Sequence, residues 1–283
     1  MKLPSEIVLR CGPPAGILCL AALLAACSGP IVSRSPEALY ARAQEQITNG
    51  RYLPAVDSLS RAIEEAPDTP IGRRAQLLRL VLLGGMARAY QDMAEIYLEG
   101  HQRAGEAPHA TRMRSMALDH FGQVRGLGTD FLEALGSGEQ EYLADPLRLG
   151  FDPPQVEDGS ATLDRVREGN WLEEEERERA QRERLAQGLA DMLKLLAGNR
   201  PLTPELEFEP AAVAVGTARH LLQLGAAFGP EALDDPRMVR LFHQRALGAA
   251  TQAKQLAQEA RNFLWQEQAE EVERRCRQAL GQK

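Results

Sequence analysis

The stretch PEALYARAQEQITNGRYLPAVDSLSRAIEEAP, residues 36–67, encodes two short helices and the turn between them within 32 residues. Ser35 is a favoured N-cap, and Pro36 suits the first helical position, where a missing N–H costs nothing. Asn49-Gly50 stops the first helix, Pro54 opens the second and Pro67 closes it. A lone helical hairpin cannot bury its own apolar face. The rest of the chain must therefore supply further helices to pack against it.

The composition agrees. Ala, Leu, Glu, Gln and Arg dominate, aromatic residues make up only 5%, and no stretch alternates β-branched with polar residues. The expected fold is all-α. In residues 71–100, Leu78, Leu82, Met86, Tyr90, Met93 and Tyr97 form one stripe, and Leu77, Leu80, Val81 and Leu83 make the first half apolar nearly all round. Such a helix belongs at the centre of the fold. Gly84-Gly85 within it marks either a close helix contact or a kink. TRMRSMALDHFGQVRGLGTDFLEALG gives an amphipathic pair broken near Gly126. Residues 136–170 are rich in Gly, Pro and Asp and read as a long excursion between two helical regions, 36–135 and 171–283. In the second region a charge run at Glu173–Glu176 reads as a solvated helix face, Thr203-Pro204 starts a helix, and Ala246, Gly248, Ala249 and Ala250 suit tight packing.

The hairpin at 36–67 resembles a tetratricopeptide repeat, a helix–turn–helix unit with a 34-residue period. Ala43, Ala55 and Ala62 fall at its small positions, Gly50 and Tyr52 at its turn, Pro67 at its end, and Leu39 and Leu59 at large apolar positions. Arg42 and Gln46 depart from the pattern, which places apolar residues there. The resemblance implies an α-solenoid of stacked hairpins whose first helices line a concave face that binds protein partners. On this chain that face would present Glu37, Tyr40, Gln44, Ile47 and Thr48.

The N-terminus constrains location. Ala15 to Ala26 is an uncharged run too short for the ~20 residues that cross a bilayer. Lys2 and Arg10 precede it or flank its start, as in a secretory signal. Leu24-Ala25-Ala26-Cys27 resembles the lipobox of bacterial lipoproteins, which implies removal of residues 1–26 and acylation of Cys27. Several acyl chains together give stable anchoring. Residues 27–35 would then be a lipidated tether, and Ser28 rather than Asp after the cysteine favours the periplasmic face of the outer membrane. The formal charge is −7 for the whole chain, and −8 once Lys2, Arg10 and Glu6 are removed. That sign argues against nucleic acid as a partner. Cys276 would be the single unmodified thiol, so an intramolecular disulfide framework is excluded.

Catalytic templates are missing: the sequence has no P-loop, HExxH, GxSxG or GxGxxG after a strand. His101, His109, His120, His220 and His243 are scattered without metal-ligand spacing. No enzyme, cofactor or metal is expected. The expected role is a scaffold or adaptor in an envelope complex. The hairpin followed by RRAQLLRLVLL is similar to the opening of lipoproteins that help assemble outer-membrane β-barrels, though those carry several repeats and the match fades by residue 85. LGGMARAYQDMAEIYLEG and RMRSMALDHFGQVRGLGTDFLEAL, within 83–135, are instead similar to the periplasmic T-component lipoproteins of TRAP transporters. That resemblance implies a helper to a solute-binding protein, with an apolar small molecule as ligand.

Overall fold

The computed structural model describes residues 35–136, 146–148, 160–203, 206–230 and 232–281; Cys27 and its lipobox lie outside these. Among the described residues there are nine helices: α1 (Pro36–Thr48), α2 (Tyr52–Glu65), α3 (Pro70–Ala104), α4 (Ala110–Leu135), α5 (Ser160–Arg167), α6 (Glu174–Leu196), α7 (Pro210–Ala227), α8 (Pro236–Glu259) and α9 (Phe263–Ala279). Two short strands, β1 (Leu147–Arg148) and β2 (Glu207–Phe208), pair antiparallel, with Leu147 opposite Phe208 and Arg148 opposite Glu207. The fold is all-α, as the composition requires.

Local chemistry sets the helix ends. Ser35 Oγ accepts a hydrogen bond from Ala38 N at 3.2 Å, with Pro36 at the first helical position. Gly50 then takes a φ of +69°, the left-handed conformation that glycine adopts without a steric penalty. Pro54 lies in the first turn of α2 rather than opening it, because the helix already begins at Tyr52. Thr69 caps α3 through Gly72 N, Asp235 caps α8 through Met238 N, and Asn262 caps α9 through Trp265 N.

The 35-residue α3 is the hub. It packs along α4 and against α2, α5 and α6, and it also touches α1, α7 and β1. Leu77, Leu78 and every residue from Leu80 to Ala87 are buried, so its apolar circumference is used on nearly every side. In a solenoid each repeat contacts only its sequence neighbours. Here α1, α2, α4, α5, α6 and α7 all contact one central helix. That arrangement departs from the linear stack implied by the repeat resemblance, and the cause is the apolar surface all round α3.

Gly84-Gly85 marks a close contact within a continuous helix. A Cβ on Gly85 would lie 2.8 Å from Leu189 Cα, and one on Gly188 would lie 2.3 Å from the Gly85 carbonyl oxygen. Gly100 similarly admits the carbonyl of Val166 at the end of α5. The main core joins α1–α4 with α6–α9. A smaller cluster beneath it joins Met93, Tyr97 and Met113 to Leu163, Val166, Leu172 and Ala180.

Four local expectations change. α4 runs unbroken through Gly126, which lies on an exposed face with nothing within 4 Å of where a Cβ would sit. A glycine there costs only about 1 kcal/mol of helix propensity, and burial of Val124, Leu127 and Phe131 outweighs it. The 136–170 stretch contains α5, packed on α3. Pro204, expected with Thr203 to start a helix, lies outside the described residues; the helix that follows begins at Pro210, after β2, with Ala211 to Ala218 all buried. Gly248 faces solvent, while Ala246, Ala249 and Ala250 pack inward.

Candidate functional site

The N-terminal hairpin brings its small residues together. Ala43, Ala55, Ala62 and Leu59 are fully buried between α1, α2 and α3, Tyr52 is buried in the first turn of α2, and Pro67 is exposed just past its end. The atypical Gln46 is also buried, and Ser58 Oγ donates a hydrogen bond to its Oε1 at 2.8 Å. A polar bridge thus joins the helices where the repeat pattern uses an apolar contact. Of the five residues expected to meet a partner, only Glu37, Gln44 and Thr48 reach the surface. Tyr40 and Ile47 are buried in the core, and burial pushes the Tyr40 hydroxyl well above its ordinary pKa. They face inward because α1 must cover α3 as well as α2. This removes both large apolar anchors from the expected binding face.

The histidines are dispersed. His101 Nδ1 and His109 Nε2 sit 3.0 and 2.8 Å from the carbonyl oxygens of Ala110 and Gly169, tying the α3–α4 turn to the residues after α5. His120 lies between the rings of Tyr90 and Tyr97, each 5.5 Å away, and burial lowers its pKa to about 4. His220 is completely buried, edge-on to Phe131 at 4.9 Å, and neither ring nitrogen has a hydrogen-bond partner. Burial, with a smaller contribution from Arg88, lowers its pKa to about 3. Burial likewise pushes the Cys276 thiol up to about 11, which leaves it protonated and unreactive at neutral pH. Among the described residues, no three His, Cys, Asp or Glu side chains converge as a metal site would require. No helix among them is long and apolar enough to cross a membrane.

The surface feature with most chemical content is the tip of the α8–α9 hairpin. Phe263 is 80% exposed and Leu264 59% exposed, while Trp265 beside them is buried. Three consecutive large apolar residues on a helix point about 100° apart, so they cannot all face one core. That run, FLW, was the available sequence signal. Glu209 holds the tip rigid: its Oε2 accepts from Trp265 Nε1 at 2.8 Å, and its Oε1 pairs with Arg200 Nη1 at 3.0 Å. Arg200 also donates to the carbonyls of Ala197 and Glu207. The Trp265 ring lies over Gly198, where any side chain would collide with it. The ends of α6, α7 and α9 are thereby clamped together. Beside the tip opens a cleft of about 400 Å³, lined by Pro146, Pro210, Ala211, Leu256 and Trp265, with Glu209 and Glu259 at its polar edge.

No protein-family model, curated protein or solved structure matches this chain.

Proposed function

We propose that this chain is a non-enzymatic lipoprotein of the bacterial envelope, held to the membrane through Cys27 and acting as a scaffold or adaptor for a protein partner. The docking surface in this reading is the α8–α9 tip. The observation that carries it is the pairing of two strongly exposed apolar side chains, Phe263 and Leu264, with an adjacent apolar cleft on a rigid platform. Interface hot spots are apolar anchors seated in such clefts and ringed by polar groups. Rigidity favours binding, since little side-chain entropy remains to be lost. Glu209 and Glu259 at the edge suit a partner that presents basic residues around an apolar anchor. The N-terminal hairpin then has a structural role, with Ala43, Gly50, Tyr52, Ala55, Ala62 and Pro67 shaping it against α3.

The test is co-purification after mild crosslinking in cells, comparing the wild-type chain with Phe263→Ser/Leu264→Ser. Both substitutions are at exposed positions, so folding should be preserved. Loss of one specific partner band in the double variant supports the reading, and an unchanged set of partners overturns it. Labelling with a fatty-acid analogue, abolished by Cys27→Ser, tests the anchor separately.

A further inference from the structure

A second cleft lies at the opposite end of the α8–α9 hairpin, between the end of α7, the first turns of α8 and the last turn of α9. Its volume is about 570 Å³, within the 300–1,000 Å³ typical of small-molecule sites. Its walls are mostly apolar: Phe228, Pro230, Pro236, Val239 and Leu280. Phe228 is fully buried, and its ring is held 4.9 Å from that of Phe242. Two nitrogen-bearing side chains border this apolar surface. Arg240 and His243 are three residues apart on α8 and so share one face. Among the described residues neither makes a hydrogen bond or an ion pair, although carboxylates outnumber cations in this chain by 40 to 33. The edge of the His243 ring fills the space left by the missing side chain of Gly225, which fixes the ring in place. Partial burial lowers the His243 pKa, so at neutral pH it is an uncharged imidazole able to donate one hydrogen bond.

We propose that this cleft binds a small apolar carboxylate, with its headgroup on Arg240 and His243 and its tail against Pro236, Val239 and Leu280, which the buried Phe228 supports from behind. One unpaired cation matches one negative charge. A phosphate would want more donors and, with about two negative charges, would be repelled by the Asp234 carboxylate at the cleft edge more than a singly charged carboxylate is, while Met238 N at the start of α8 is already taken by Asp235. A peptide interface would need roughly 1,000 Å² of buried area, more than a cleft of this size supplies. This inference is independent of the docking reading, because the two sites share no residue.

The experiment is calorimetric titration of the full chain with octanoate, octanol and acetate. Octanoate should bind saturably, while octanol and acetate should each bind at least tenfold more weakly, since one lacks the charge and the other the tail. Arg240→Glu, an exposed position, should abolish octanoate binding and allow octylammonium to bind. Phe263→Ser/Leu264→Ser should leave octanoate affinity unchanged. The proposal is overturned by absent saturation, by equal binding of octanol, or by an Arg240→Glu variant that retains octanoate. A peptide ending in a free leucine carboxylate that binds more tightly than octanoate would also overturn the small-molecule assignment.

Discussion

Gly85 on α3 and Gly188 on α6 meet backbone to backbone, with the position of a Gly188 Cβ only 2.3 Å from the Gly85 carbonyl oxygen. The two helices can cross this closely only because neither residue has a side chain. Gly85→Ala and Gly188→Ala should each destabilise the fold by about 1–3 kcal/mol or more, since backbone cannot yield as a flexible side chain can. Gly126→Ala, on the open face of α4, should stabilise by about 0.5–1 kcal/mol. Urea denaturation of the three variants gives the comparison. Equal effects would mean that α3 and α6 are not in contact at this crossing.

The buried bridge between Ser58 and Gln46 predicts non-additivity. Ser58→Ala leaves the Gln46 amide oxygen without its partner and should cost about 1–3 kcal/mol. Adding Gln46→Leu removes the stranded group and restores the apolar residue that the repeat pattern uses there. The double variant should therefore be more stable than Ser58→Ala alone. A double-mutant cycle by thermal unfolding checks this, and simple additivity of two losses would contradict it.

The helical hairpin makes a related prediction about size. Ala55 and Ala62 are fully buried where α2 meets its neighbours, whereas Glu64 is exposed. Ala55→Leu/Ala62→Leu should lower Tm by overpacking, and Glu64→Ala should not change it appreciably. Equal shifts would count against the close packing of α1 and α2.

How much of this was legible in the sequence depended on range. Ser35, Asn49 and Gly50 act within one turn of the chain, so the α1–α2 boundaries could be read directly. The central position of α3 followed from an apolar circumference that no surface helix tolerates. The Leu147–Phe208 pairing was invisible, because two residues per strand carry no periodicity. The cleft at the α8–α9 tip draws on Pro146, Glu209, Leu256 and Trp265, residues that only tertiary packing brings together. Burial of Tyr40 and Ile47 was misread for the same reason: the repeat resemblance describes a hairpin stacked on one neighbour, while α1 also covers α3.

The two buried histidines set the acid response. Burial lowers the pKa of His120 to about 4 and that of His220 to about 3, from an ordinary 6.5. Below pH 6.5 the unfolded chain takes up these protons before the folded one does. The stability they confer is therefore complete above pH 6.5 and declines as the pH falls toward 4 and 3, by about 1.4 kcal/mol per unit for each histidine. His220→Leu should keep about 2 kcal/mol more of its stability than the wild type between pH 7 and pH 5. At pH 7 it should cost little, since it removes two ring nitrogens that have no partner. Urea midpoints at the two pH values decide, and identical losses in both proteins would mean that His220 is not buried uncharged.

The most direct test of the docking account places a photoreactive residue at position 263 of the full chain expressed in cells. The control is the same substitution at Leu118, which is also strongly exposed and lies on α4, away from the cleft. Irradiation should give one discrete protein adduct from position 263, lost when Leu264 is changed to Ser, and none from position 118. Equal adducts at both positions, or none at position 263, would contradict a partner seated on the α8–α9 tip.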